Sequence, residues 1–184
     1  MNTVVSQEEL ELMFNETLKE VTHRIGGIRL SQSDAAAVPT GEVYTVYITF
    51  ERGVYARLCL SAEKSLFIRL TRYMMRREEV SEQDVEDFSK EYFNVVCGHI
   101  AAKLFRATKI ASRFGAPRFC SGRYQPADYE EHLVLGYSGD QSEGAQLIHL
   151  RPLETPGGEL AGLCTDAAPP GKENSTNGKT NHDR

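Results

Sequence analysis

The sequence has no apolar run approaching the ~18 residues needed to cross a bilayer, and it does not open on a basic segment followed by a short apolar one. Neither a membrane span nor a secretory leader is expected, and the chain reads as a soluble cytoplasmic protein. It has no basic excess either. Its 21 Lys and Arg against 26 Asp and Glu leave a net charge of −5, the wrong sign for an ordinary nucleic-acid surface. The four cysteines (Cys59, Cys97, Cys120, Cys164) form no C-x-x-C pair. Three of them lie inside apolar patterns, which predicts buried free thiols in a reducing compartment. The five histidines (His23, His99, His132, His149, His182) are scattered. Cys97-x-His99, the nearest approach to a ligand pair, puts its members on different sides of a helix without partners at metal-site spacing. There is no G-x-S-x-G elbow, Gly136-Tyr137-Ser138-Gly139 being in the wrong register, and no Walker A lysine or dinucleotide fingerprint. Nothing in these patterns makes a self-contained active site with its own nucleophile or metal.

The chain does contain a clear series of amphipathic segments. Residues 6–25 predict a helix: Ser6 and Glu9 form a capping box, Leu10, Met13, Phe14, Leu18, Val21 and Ile25 recur at helical spacing, and Gly26-Gly27 stops it. A short strand at 28–30 precedes a polar loop broken by Pro39. Residues 43–50 and 54–60 read as a hairpin turning at Glu51-Arg52-Gly53, with Tyr44, Val46, Ile48 and Phe50 on one face. A second helix spans about 62–77 and ends in Arg72, Arg76 and Arg77, which suits the negative pole of the dipole or contact with an acidic partner. Strands at 117–122, 131–137 and 145–150 close the domain. From Pro152 the composition turns to Pro, Gly, Asn, Thr and Lys, so residues 1–152 are read as one domain and 153–184 as a mostly disordered tail.

The segment that carries chemistry is 81–108, SEQDVEDFSKEYFNVVCGHIAAKLFRAT. Ser81 caps it, and Glu82, Asp84 and Glu86 sit at the positive end of its dipole. At about 100° per residue, Asp87, Glu91, Asn94 and Gly98 fall on one stripe, continued by Ala101 and Ala102. Phe93, Val96, Cys97, Ile100 and Leu104 occupy the opposite, core-facing side. A Glu-x-x-Asn pair alone is common on solvated helices. The longer pattern Asp87-x3-Glu91-x2-Asn94-x22-Pro117, with Gly98 four residues after the Asn, resembles the signature of the CheC/CheX/FliY family of chemotaxis phosphatases. A single copy of the motif points to its CheX-like branch.

That resemblance implies a fold and an activity. The fold would be α+β, a mostly antiparallel sheet of about six strands with the long helices packed on one face. The activity would be removal of the phosphoryl group from the phospho-aspartate of a CheY-type response regulator. Asn94 would orient the attacking water, and Glu91 would pair with the regulator's lysine. Asp87 either orients Glu91, touches the partner or is a plain surface acid. Gly98 permits close approach, by the partner or by the sheet. The Mg²⁺ would come from the regulator, so the chain needs no cofactor or metal of its own, and the resemblance implies a homodimer. The bulky Tyr92-Phe93 departs from the small residue common before the Asn. It leaves open an alternative, a non-catalytic module that docks a receiver domain without hydrolysing its phosphate.

Overall fold

Local signals in the sequence account for most of the observed elements in the structure, a computed structural model that describes residues 5–34, 39–52, 55–153 and 163–165. Helix α1 (Gln7–Gly26) starts at the reciprocal cap: Ser6 Oγ accepts from the Glu9 N–H at 3.2 Å, and Glu9 Oε2 accepts from the Ser6 N–H at 2.9 Å. It stops at Gly27, whose φ of +65° is the left-handed conformation that lacks a Cβ penalty. Strand β1 (Leu30–Ser33) begins later than the residues 28–30 expected from sequence. The hairpin β2 (Val43–Arg52) and β3 (Ala56–Glu63) pairs Tyr44 with Ala62, Val46 with Leu60, Ile48 with Leu58 and Phe50 with Ala56. All of these are buried on one face, as the alternation requires.

Helix α2 (Lys64–Met75) starts two residues later than expected, because Ala62 and Glu63 still belong to the β3 ladder. Helix α3 (Glu82–Thr108) matches its predicted span. The remaining strands are β4 (Arg113–Phe114), β5 (Arg118–Ser121), β6 (Arg123–Gln125), β7 (Tyr129–Gly139), β8 (Gly144–Pro152) and β9 (Leu163–Thr165). Strands β7 and β8 are longer than their apolar cores, and β4, β6 and β9 were not foreseen, having too few residues to show a period. Apart from Leu153 and β9, the predicted tail lies outside the described residues. Among the described residues no helix is long and apolar enough to cross a membrane.

Seven strands form one sheet in the order β1-β7-β8-β3-β2, with β4 and β5 both paired to β2, and every pairing is antiparallel. The three helices share one core with one face of this sheet, built on Leu18, Phe67, Phe93, Val96, Ile100, Leu58 and Leu60. On the other face a smaller cluster gathers Cys59, Tyr124, Ile148 and Leu150. There the buried Arg57 donates to Thr49 Oγ1 at 2.8 Å and to the Tyr124 hydroxyl, between the rings of Tyr47, Tyr124 and Tyr129. Cys59 and Cys97 are the buried free thiols predicted from their apolar surroundings. Cys120 departs from that expectation and is disulfide-bonded. An apolar pattern reports burial, not which sulfur the fold brings close.

Candidate functional site: the outward stripe of α3

Helix α3 is held at its start by a second reciprocal cap. Ser81 Oγ accepts from the Asp84 N–H at 3.1 Å, while Asp84 Oδ2 accepts from the Ser81 N–H at 2.9 Å and from its hydroxyl at 2.7 Å. The backbone and side-chain bonds from Ser81 hold the Asp84 carboxyl below its usual range, with the Arg77 guanidinium at the end of α2 adding to the effect. The inward face, Val85, Ser89, Tyr92, Phe93, Val96, Cys97, Ile100 and Leu104, is buried against α1, α2, β2 and β5. Pro117 immediately precedes β5, the strand α3 lies beside. Its missing N–H and fixed φ suit the break between β4 and β5.

Both residues of the unusual Tyr92-Phe93 pair face inward. Tyr92 is 1% exposed and its hydroxyl lies 2.6 Å from Thr22 Oγ1 of α1, while Phe93 is fully buried in the shared core. Neither occupies the stripe, so the bulk in the middle of the motif is packing and leaves the outward face unobstructed.

On that outward face Asp87 and Glu91 are exposed, and Asn94 and Gly98 are half-buried. The two acids differ in what they touch. Asp87 accepts from Gln83 Nε2 at 3.0 Å and pairs with Lys90 Nζ at 3.1 Å, and these bonds hold its carboxyl below the ordinary range. Its partners are thus its helix neighbours, not Glu91. Glu91 and Asn94 make no side-chain hydrogen bond or ion pair among the described residues. A carboxylate and a carboxamide one turn apart therefore present unused bonding capacity to whatever meets this face.

A Cβ built at Gly98 would meet nothing within 4 Å, so packing against the sheet does not require the glycine there. His99, half-buried, lies with Nε2 3.0 Å from Arg24 Nη2 of α1, which leaves Cys97 and His99 on different sides of the helix. One stripe residue escaped the sequence reading. Phe105 is 48% exposed, and its eighteen-residue spacing from Asp87, five full turns, was a signal that could have found it.

A family model described as chemotaxis phosphatase CheX matches residues 44–134, a span that contains all of α3. Residues 44–134 thus carry a CheX-family domain. Its fold is shared with CheX from Vibrio vulnificus (14% identity, 78% of this chain and 97% of that one, TM-score 0.61). It is shared also with the CheX of a CheX–CheY–BeF3–Mg²⁺ complex from Borrelia burgdorferi (12% identity, 80% and 99%, TM-score 0.63). FliY from Thermotoga maritima resembles it as well (14% identity, 81% and 92%, TM-score 0.57). No curated protein matches the chain by sequence. At such identities the structural likeness speaks for the fold, and α3 occupies the middle of the span that the CheX family model matches.

Proposed function

We propose that this CheX-family chain dephosphorylates the phospho-aspartate of a CheY-type receiver domain, with α3 as its working surface. The observation that carries the reading is the pair Glu91 and Asn94: outward-facing, one turn apart, and without a side-chain partner among the described residues. Water attacks phosphorus, the bond to the aspartate oxygen breaks, and inorganic phosphate and the free carboxylate result. The chain needs only to hold that water in line, because phosphoryl transfer depends chiefly on positioning and charge stabilisation.

A carboxamide suits the task. The Asn94 carbonyl accepts from the water, while its NH₂ donates toward a phosphoryl oxygen. A carboxylate at the same place would repel the phosphoryl charge. Glu91 pairs with a receiver lysine and so fixes the register of docking. One free carboxylate beside an acid already tied to Gln83 and Lys90 is a poor Mg²⁺ cage. The reading therefore assigns the Mg²⁺, which neutralises charge on the transferring group, to the receiver. Support comes from the family's description as chemotaxis phosphatases and from the Borrelia burgdorferi complex, which joins a CheX to CheY with BeF3 and Mg²⁺. The alternative, docking without hydrolysis, drew on Tyr92-Phe93; the burial of both residues off the stripe favours the catalytic reading.

The test is a paired measurement of affinity for a beryllofluoride-loaded receiver and single-turnover loss of its phosphate. Asn94→Ala should lower the catalysed rate by on the order of a hundredfold while binding survives. Glu91→Lys would set like charges together and should abolish both. Full activity in Asn94→Ala would overturn the assignment.

A further inference from the structure

The stripe does not end at the motif. Beyond Asn94 the outward face continues through Gly98, Ala101 and Ala102 to Phe105, in line with Asp87 on the helix. A phenyl ring 48% exposed leaves apolar surface in water, and it does so on the same helix stripe as Glu91 and Asn94. Between ring and motif, the open space above Gly98 removes any side-chain obstacle to a body lying along the helix. Phe105 follows Asn94 by eleven residues, which is about 16 Å along the axis. A standard interface buries about 800 Å² on each partner, a disc of radius about 16 Å. A receiver whose footprint lies along the stripe from Glu91 to Phe105, about 21 Å of helix, therefore holds both ends inside its edge. The residues beside the ring are basic, with Arg106 and Lys109 both exposed and making no ion pair among the described residues.

We infer that Phe105 anchors the docked receiver through an apolar patch rimmed by carboxylates, about 16 Å along α3 from Asn94. The inference rests on the receiver reading above and adds a contact that sets affinity without touching the reacting atoms. Phe105 is a specificity residue, whereas Asn94 holds the attacking water and Glu91 sets the register. Uniform binding of this kind belongs in KM, not in kcat.

The experiment uses the full chain with Phe105→Ser and Phe105→Leu, each titrated with beryllofluoride-loaded CheY-type receiver and followed in phosphate release, with sedimentation run in parallel. For Phe105→Ser we expect Kd and KM to rise together by about tenfold or more, with kcat at saturation and oligomeric mass unchanged. Phe105→Leu should restore most of the affinity. Unchanged Kd in Phe105→Ser, with the wild type binding and hydrolysing normally, overturns this inference and leaves the receiver reading standing. A change of mass in Phe105→Ser also overturns it, by showing that a second copy of the chain covers the ring. A wild type that neither binds nor dephosphorylates the receiver sinks both.

Discussion

Tyr92 sits between the two motif side chains in sequence and points the opposite way in space, which makes it a test of how α3 is held. Its phenol is 1% exposed, and burial pushes its ionisation above the usual range, so the hydroxyl stays protonated. Thr22 Oγ1 donates to the Leu18 carbonyl at 2.6 Å and must therefore accept from the Tyr92 hydroxyl at 2.6 Å. Tyr92→Phe removes that one bond and leaves Thr22 with its remaining partner. The net loss should be about 1 kcal/mol, or a melting temperature lower by about 2–4 °C for a chain of this size. Tyr92→Ala empties the site as well and should cost about 3–5 kcal/mol, a large part of a typical domain's stability. Urea unfolding of the three proteins, paired with phosphate release from a phosphorylated receiver, separates packing from chemistry. Tyr92→Phe should keep its activity within about twofold, since a 1 kcal/mol loss leaves a stable domain folded. No loss of stability in Tyr92→Phe would mean that the bond to α1 does not hold the helix. A folded Tyr92→Phe that has lost its activity would put the phenol in the working surface and refute the orientation argued here.

Gly98→Ala should stabilise the domain by about 1 kcal/mol, because the added methyl meets nothing and alanine is the better helix former. The same change should weaken receiver binding, and a more stable protein with undiminished affinity would show that close approach is not needed there. Burial, with His132 and Arg151 nearby, pulls His149 down to about 4, while in the unfolded chain it titrates near ~6.5. The unfolded chain thus takes up a proton that the folded one refuses. Stability is full above about pH 6.5 and falls as the pH drops toward about 4, by at most about 3 kcal/mol. Urea midpoints that follow the same pH profile in wild type and His149→Gln would refute this. Homodimerisation is expected from the family resemblance and from the edge strands β1, β4 and β5, whose open backbone groups call for cover. Sedimentation at micromolar concentration should show twice the 20.6 kDa chain mass, and a clean monomer would count against it.

What the sequence by itself determined is the backbone structure set by near neighbours along the chain. Ser6 with Glu9 and Ser81 with Asp84 are reciprocal caps closed within four residues, so both helix starts were legible. The alternation of Tyr44, Val46, Ile48 and Phe50 set the buried face of the hairpin, and helical spacing alone placed Glu91 and Asn94 together, away from Phe93 and Val96. Tertiary structure decided what depends on partners far away in sequence. That Tyr92 turns inward rests on Thr22, seventy residues earlier, and that Ala62 extends a strand rests on pairing with Tyr44 and, across β8, with Ala145. Strands of two or three residues such as β4 and β6 have no period to read and exist only because β2 and β9 supply their hydrogen bonds. Asp87 and Glu91 look alike in sequence. Only the folded helix shows one acid consumed by Gln83 and Lys90 and the other left open, because a side chain's free bonding capacity depends on which rotamers its neighbours adopt.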